Sequence, residues 1–314
     1  CVLGCAVGDA LGAPYEGLWS DTIPPEADLL AGFGEFEGYP RGQWTDDTQL
    51  TLATIEAIVE AREIDFSLIA RSIAQLWLNV SVIGPGGACM QAAHAFLESG
   101  DWSTSGAPVG HAGNGAAMRT AALGLWFAES AAGLEETVAN VSRITHQDPR
   151  RVAGGVAAAK AAQLLAAGGD LDPGAFSSAI AKSMDRYAPE FAAQVAELPA
   201  RLSEAPALAL DKIAWAGMRE PEFDRPTITP FVVPTVLASL WTLLRFPDSW
   251  GKAVATVIGL GGDVDTTGAI VGALMGARLG ASAIPDHLLA EVLDGDRIRF
   301  LAARYHQVAR TRLS

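Results

Sequence analysis

Apolar positions recur along this chain at three- and four-residue intervals, and no stretch of any length alternates with a period of two. The first spacing lines one face of an α-helix; the second would mark a half-buried strand. Helices are therefore expected at 2–13, 45–63, 66–79, 88–99, 116–128, 134–144 and 150–167. The second half continues with 172–184, 188–202, 208–216, 231–246, 249–258, 268–280, 285–293 and 297–313. In 45–63 the apolar faces come from Leu50, Ala53, Ile55, Ala57 and Ile58. The stretches 17–44 and 220–230 are rich in Pro and Gly and read as long irregular loops, a length usually tied to function. Shorter Gly-rich connectors lie at 84–87 and 110–115. No domain-scale linker interrupts the helices, so one compact all-α domain is expected over 1–314.

Two of these helices carry glycine on one stripe: Gly4, Gly8 and Gly12 in the first, and Gly268, Gly272, Gly276 and Gly280 in the later one. Each glycine weakens an isolated helix by about 1 kcal/mol relative to alanine. Such a stripe is explained by a backbone that packs very close to its neighbour. The expectation is that the two striped helices lie together at the centre of the molecule.

Composition narrows the class. Half of the residues are hydrophobic, which allows a large core and excludes a disordered chain. A net charge of −14 argues against a nucleic-acid partner, but not against a small anionic ligand held by a local cation or by helix N-termini. Cys1, Cys5 and Cys89 form no metal-binding or disulfide framework, which fits a reducing, cytoplasmic setting. The apolar run 268–277 stops at Arg278, too short to span a bilayer, so no membrane association is expected.

The candidate chemistry lies in two acidic clusters. Gly261-Gly262-Asp263-Val264-Asp265-Thr266-Thr267-Gly268 sets two carboxylates between glycines and apolar walls. Unpaired charge there costs several kcal/mol or more. Inside a regular helix Asp263 and Asp265 would point about 160° apart. At a helix start loosened by Gly261 and Gly262, both can converge with the Thr266 hydroxyl. A plain N-cap by one of the two aspartates is the rival reading. Trp44-Thr45-Asp46-Asp47-Thr48 repeats the arrangement at the start of another apolar helix. Together the clusters offer four carboxylates and two hydroxyls, an all-oxygen set that suits Mg²⁺, Mn²⁺ or Ca²⁺ rather than zinc. Two ions about 3.5–4 Å apart would activate a water and polarise a substrate.

With these blocks in view, the chain resembles the ADP-ribosylglycohydrolase family over nearly its whole length. The resemblance rests on Gly8-Asp9-Ala10-Leu11-Gly12 with Glu16, on Trp44-Thr45-Asp46-Asp47-Thr48, on GNGAAMR at 113–119, on Thr145-His146 with Pro149, and on 261–268. The GGDVDTTGA form is more similar to the dinitrogenase-reductase-activating branch than to the serine-specific one. The resemblance implies an all-α fold with two Mg²⁺ ions, or Mn²⁺, at the bottom of a cleft. It implies Thr45, Asp46 and Asp47 on one ion, Asp263 and Thr266 on the other, and Asp265 between them. It gives catalytic roles to Glu16, Asp47 and Asp263, with Asp263 orienting the water. Asp9 is expected to brace a ligand or loop from behind.

For the substrate, the resemblance implies contacts from Gly86, Gly87, His111, Ala112, Gly113, Asn114, Gly115 and His146, with the diphosphate cradled by 111–115. Taken alone, these residues also fit an ordinary Gly-rich turn, and His146 a partner for a helix C-terminus. No aromatic residue near 106–108 is placed to stack adenine; Trp102 and the 220–230 loop are the remaining candidates. The implied activity is hydrolysis of the bond between ADP-ribose and a modified protein side chain, arginine first, by a monomer. ADP-ribosylserine or O-acetyl-ADP-ribose is the alternative substrate. A non-catalytic ADP-ribose-binding or crystallin-like member would be expected to have lost the carboxylates that this chain keeps.

Overall fold

The glycine stripes meet face to face. In the computed structural model, which describes residues 1–110, 112–218 and 223–311, the first helix packs against the later one along its whole length. A side chain on Gly4 would strike the Gly272 carbonyl, one on Gly8 the Gly268 carbonyl, and one on Gly12 the Val264 carbonyl. The contacts reciprocate, since Gly268 and Gly272 face the carbonyls of Gly8 and Gly4. As one number rises the other falls, so the two helices run antiparallel. The helix propensity lost at each glycine is recovered as backbone-to-backbone dispersion contact. All eleven residues of the first helix are buried as a result.

The helices in chain order are α1 (Val2–Gly12), α2 (Glu26–Leu29), α3 (Asp46–Ala61), α4 (Phe66–Leu78), α5 (Gly87–Ser99) and α6 (Trp102–Ser105). Next come α7 (Ala117–Trp126), α8 (Leu134–Arg143), α9 (Pro149–Ala166), α10 (Pro173–Met184), α11 (Pro189–Ala196) and α12 (Leu198–Arg201). The chain finishes with α13 (Pro206–Ala214), α14 (Val232–Arg245), α15 (Trp250–Ile258), α16 (Val264–Leu279), α17 (Asp286–Glu291) and α18 (Gly295–Thr311). Around the α1–α16 pair, α14 and α15 pack on α16, α7 and α9 form a second close pair, and α3 bridges α1 to α7. Trp250 on α15 donates its indole N–H to the Gly272 carbonyl at 3.1 Å, filling the seam's edge.

The all-helical expectation holds, and no strand occurs among the described residues, only isolated bridges between loops. Three details differ from the periodic reading. The loop 17–44 contains the single turn of α2. The stretch 188–202 is two helices rather than one, broken at Glu197, with Pro199 in the first turn of the second. Proline cannot continue a preceding helix because it lacks the N–H and crowds the previous turn. The helix expected from Gly268 begins four residues earlier, at Val264, so Asp265 lies in its first turn and Asp263 at its N-cap. Among the described residues no helix is long and apolar enough to cross a membrane.

Candidate active site

The two acidic clusters come together because the glycine seam holds one and α1 braces the other. Asp9, wholly buried on α1, accepts bonds from the Thr45 N–H at 3.0 Å, the Thr45 hydroxyl at 2.9 Å, the Thr48 N–H at 3.0 Å and the Thr48 hydroxyl at 2.6 Å. It therefore caps α3 from another helix. This frees Asp46 and Asp47, in the first turn of α3, from that task. Burial raises the Asp9 carboxyl to about 6, against the lowering effect of the hydroxyl and N–H donors around it.

Asp263 is no ordinary cap either. Asp65, Asp101, Asp148, Asp172 and Ser249 each accept an N–H from the helix they begin. The Asp263 carboxylate makes no such bond; it accepts the Asn114 side-chain amide at 2.5 Å. Gly261 and Gly262, at φ of +79° and +89°, turn the chain into α16. Their backbones bond with Gly17, Leu18 and Ile228, which brings the loop after Glu16 to the start of α16. A Cβ on Gly262 would strike the Ile228 carbonyl.

The resulting group is dense in negative charge. Asp46, Asp47, Asp263 and Asp265 are all buried. One carboxylate oxygen from each of Glu16, Asp263 and Asp265 lies within 4.8 Å of the others. The Thr266 hydroxyl donates to Asp47 Oδ2 at 3.3 Å, which links the two clusters directly, while Asp47 Oδ1 is buried with no hydrogen-bond partner. Burial pushes Asp46, Asp47 and Asp265 well above the usual carboxylate range, and repulsion among the carboxylates adds to it. Glu16 is raised as well, by burial and then by Asp263. An all-oxygen donor set, an orphaned carboxylate oxygen and mutual repulsion fit a divalent cation, which would relieve all three. Asp46, Asp47, Asp263, Asp265 and Thr266 could hold it, with Glu16 beside Asp263 and Asp265.

These residues floor a cavity of about 550 Å³. Gly86 and Gly87 line it from the start of α5, and Gly113, Asn114 and Gly115 from the turn before α7. His146 and Arg151 line it from the other side of that turn. Arg119 on α7 donates to the Gly115 carbonyl and, at 2.9 Å, to the Val141 carbonyl, fixing the turn from below. Burial, with Arg119 and Arg151 beside it, drives His146 well below its usual value, so its ring is neutral. A second cleft of about 160 Å³ shares Glu16, Pro230 and Asp263 with the first and is walled by Trp19 and Phe223.

Most residues singled out from the sequence meet at this cavity, with four exceptions. Thr45 is turned inward, its hydroxyl on Asp9 and 3.4–3.5 Å from Asp47 and Asp265. Ala112 faces the interior, and its carbonyl accepts the Val232 N–H at 2.8 Å, because that loop is pinned to the start of α14. Trp102 packs on Phe66 with ring centroids 4.7 Å apart and does not line the cavity, so it stacks no adenine there. His111 lies outside the described residues. The sequence reading missed Arg119, Arg151 and Trp19. Arg119 stood inside the quoted GNGAAMR block, which was a signal; single charged or aromatic residues elsewhere gave none.

Fold and site together define a helical hydrolase-type cleft with an acidic floor, and comparison with known proteins places it. Residues 1–313 match the ADP-ribosylglycohydrolase family model, and the chain belongs to that family. It is 27% identical over 300 residues to the ADP-ribosyl-[dinitrogen reductase] glycohydrolase of Rhodospirillum rubrum, covering 92% of this chain and 88% of that one. It is 26% identical over 319 residues to the ADP-ribosylarginine hydrolase Tri1 of Serratia proteamaculans, covering 98% of this chain and 78% of the relative. Among solved structures, an ADP-ribosylglycohydrolase-related protein complex aligns with a TM-score of 0.69 at 28% identity, over 98% of this chain and 96% of that chain. Family membership supports a hydrolase of ADP-ribose linkages.

Proposed function

We propose that this protein is a divalent-metal-dependent hydrolase that releases ADP-ribose from a modified protein side chain, arginine first. The observation that carries the reading is the meeting of Asp46, Asp47, Asp263 and Asp265, from opposite ends of the sequence, at the floor of one cavity. Bound there, Mg²⁺ or Mn²⁺ would lower the pKa of a water and neutralise developing charge. The chain's own groups do the rest. Asp263, held by Asn114, has one fixed orientation toward the cavity. Gly87, together with the 113–115 turn, offers backbone N–H groups to the nucleotide, while Gly86 lines the cavity and donates its own N–H to Asp46 at 3.4 Å. Glu16, raised by burial and by Asp263, is suited to carry a proton to the leaving nitrogen.

In the overall step, water oxygen bonds to the anomeric carbon, the carbon–nitrogen bond breaks, and the departing guanidine takes the proton. Arginine as the first choice is supported by the names of two relatives, which act on dinitrogen reductase and on ADP-ribosylarginine. The Trp19–Phe223 cleft beside Glu16 supports it too. Arg225 sits 4.1 Å above the Trp19 ring, the kind of contact a guanidinium of the substrate would make.

The test is release of ADP-ribose from arginine-, serine- and ester-linked substrates with Mg²⁺, with Mn²⁺ and with EDTA. Metal-dependent release from arginine is the expected result. Release from serine or ester alone would overturn the arginine assignment, and release undiminished by EDTA would overturn the metal.

A further inference from the structure

The acidic floor has a counterpart that the sequence reading did not reveal. Arg151, the third residue of α9, is only 2% exposed, yet its Nε and Nη1 find no hydrogen-bond partner. No carboxylate pairs with it among the described residues. Asp148, the acidic group closest in sequence, is used up on others: it accepts Arg150 Nε at 3.0 Å and Nη2 at 2.9 Å, along with the N–H groups of Arg150 and Gly110. Arg119 provides the control, because two of its nitrogens are anchored on backbone carbonyls. Arg151 therefore has two buried donors without a partner, where its buried neighbour Arg119 has only its Nε.

The guanidinium that carries them borders the cavity. Arg151 lines it, and a Cβ on Gly113 would lie 3.6 Å from Arg151 Nη2, so the guanidinium lies alongside the 113–115 turn. His146, the other polar group on that wall, is neutral and compensates nothing. A buried cation without a partner costs several kcal/mol. A guanidinium is the side chain whose rigid fork best matches the oxygens of a phosphate.

We infer that Arg151 is the charged anion-binding residue of this cleft and that it grips the diphosphate of the ADP-ribose unit. The diphosphate identity rests on the proposed function; the need for an anion does not. The arrangement makes the cleft bipolar, with carboxylates for a cation on its floor and a free guanidinium beside the glycine turn. A phosphate-bearing ligand then gains at the guanidinium, whereas a plain nucleoside does not.

Three probes test this on the full chain by calorimetry and thermal shift: inorganic pyrophosphate, ADP and adenosine. EDTA is present so that the anions are not drawn to a metal at the carboxylates. Wild-type protein is expected to bind ADP at least tenfold more tightly than adenosine and to be stabilised by pyrophosphate. Arg151→Gln should weaken ADP and pyrophosphate at least tenfold and leave adenosine unchanged, with Arg151→Lys in between. Arg151→Met should melt no lower than wild type without ligand, since the charge removed had no partner, and should lose the pyrophosphate shift. A Gln or Met variant that binds ADP like wild type would overturn the assignment, as would a wild type indifferent to pyrophosphate. If the wild type released no ADP-ribose from any substrate but Arg151→Gln still lost pyrophosphate, the proposed function would fail while the anion site stood.

Discussion

The two sides of the cleft are built by different means. The acidic floor hangs on a helix-to-helix seam in which Gly8 meets Gly268 and Gly12 meets the start of α16, so backbone touches backbone with nothing adjustable between. The basic wall hangs on side chains: Arg119 pins the Gly115 carbonyl, and Asp148 holds both Gly110 and the first turn of α9. A cluster of repelling carboxylates needs a frame that cannot relax, because repulsion would otherwise spread it apart. A single guanidinium at a helix start can await its anion beside a turn that adjusts as the ligand arrives.

The sharpest way to break the comparison is to remove one carboxylate from the floor. Asp265→Asn should lower metal-dependent turnover on the order of a thousandfold, at or beyond the cost of losing one charge-stabilising donor in other active sites. It should also abolish the rise in melting temperature that Mg²⁺ gives the wild type. The sign of the pH effect is opposite to that of an ordinary surface acid. Asp9, raised to about 6, and Asp46, Asp47 and Asp265, all raised well above the usual carboxylate range, bind more protons folded than unfolded. In EDTA the wild type should therefore lose stability as pH climbs from about 4 through these folded values. The Asn variant should lose less. A variant that keeps its turnover, or an EDTA-treated wild type that gains stability over that range, would remove the floor's assignment as a cation site.

The seam itself comes next. Gly8→Ala would drive a methyl into the Gly268 carbonyl, a contact that only movement of α16 can relieve. Overpacking typically costs about 1–3 kcal/mol, and this site should fall at the top of that range or above, because both partners are backbone. Urea unfolding measures it. The same shift displaces Asp9 and Asp265 together, so the Mg²⁺-dependent stabilisation should shrink in parallel. A loss of stability with the Mg²⁺ effect intact would separate the seam from the floor.

How much of this could be read beforehand follows from where the information lies. Helical periodicity is local, so the helices were legible, and so were the glycine stripes, whose four-residue spacing has few other uses. The two acidic clusters were legible because each repeats an unusual grouping within a few residues. What the sequence hid depends on distant partners. That Asp9 caps α3 in place of Thr45, and thereby releases Asp46 and Asp47, is visible only once α1 and α3 touch. Arg151 follows Arg150 at the start of α9, where an arginine pair reads as solvated charge; only its burial and missing partners distinguish it. The break at Glu197 was concealed because Pro199 falls among good helix formers.

The mildest perturbation tests the adjustable wall. Asp148 caps α9 through the Arg150 N–H at 3.0 Å and holds the Gly110 N–H at 3.2 Å. Burial would raise its carboxyl, but the bonds from Arg150 and Gly110 outweigh that and hold it down at about 2. A depressed acid contributes stability that is fully present above its unfolded value near 4 and is lost as pH falls toward 2. Asp148→Ala should cost about 1–2 kcal/mol at neutral pH, the usual loss for a helix cap, and the gap from wild type should close on acidification. Because the 110–115 turn is loosened while the seam is untouched, the variant should bind pyrophosphate several-fold more weakly yet keep the full Mg²⁺ shift. If acid leaves the gap unchanged, the carboxylate is not what holds the turn. If the Mg²⁺ shift falls with pyrophosphate binding, the two sides are one mechanical unit, and the contrast between rigid floor and adjustable wall is wrong.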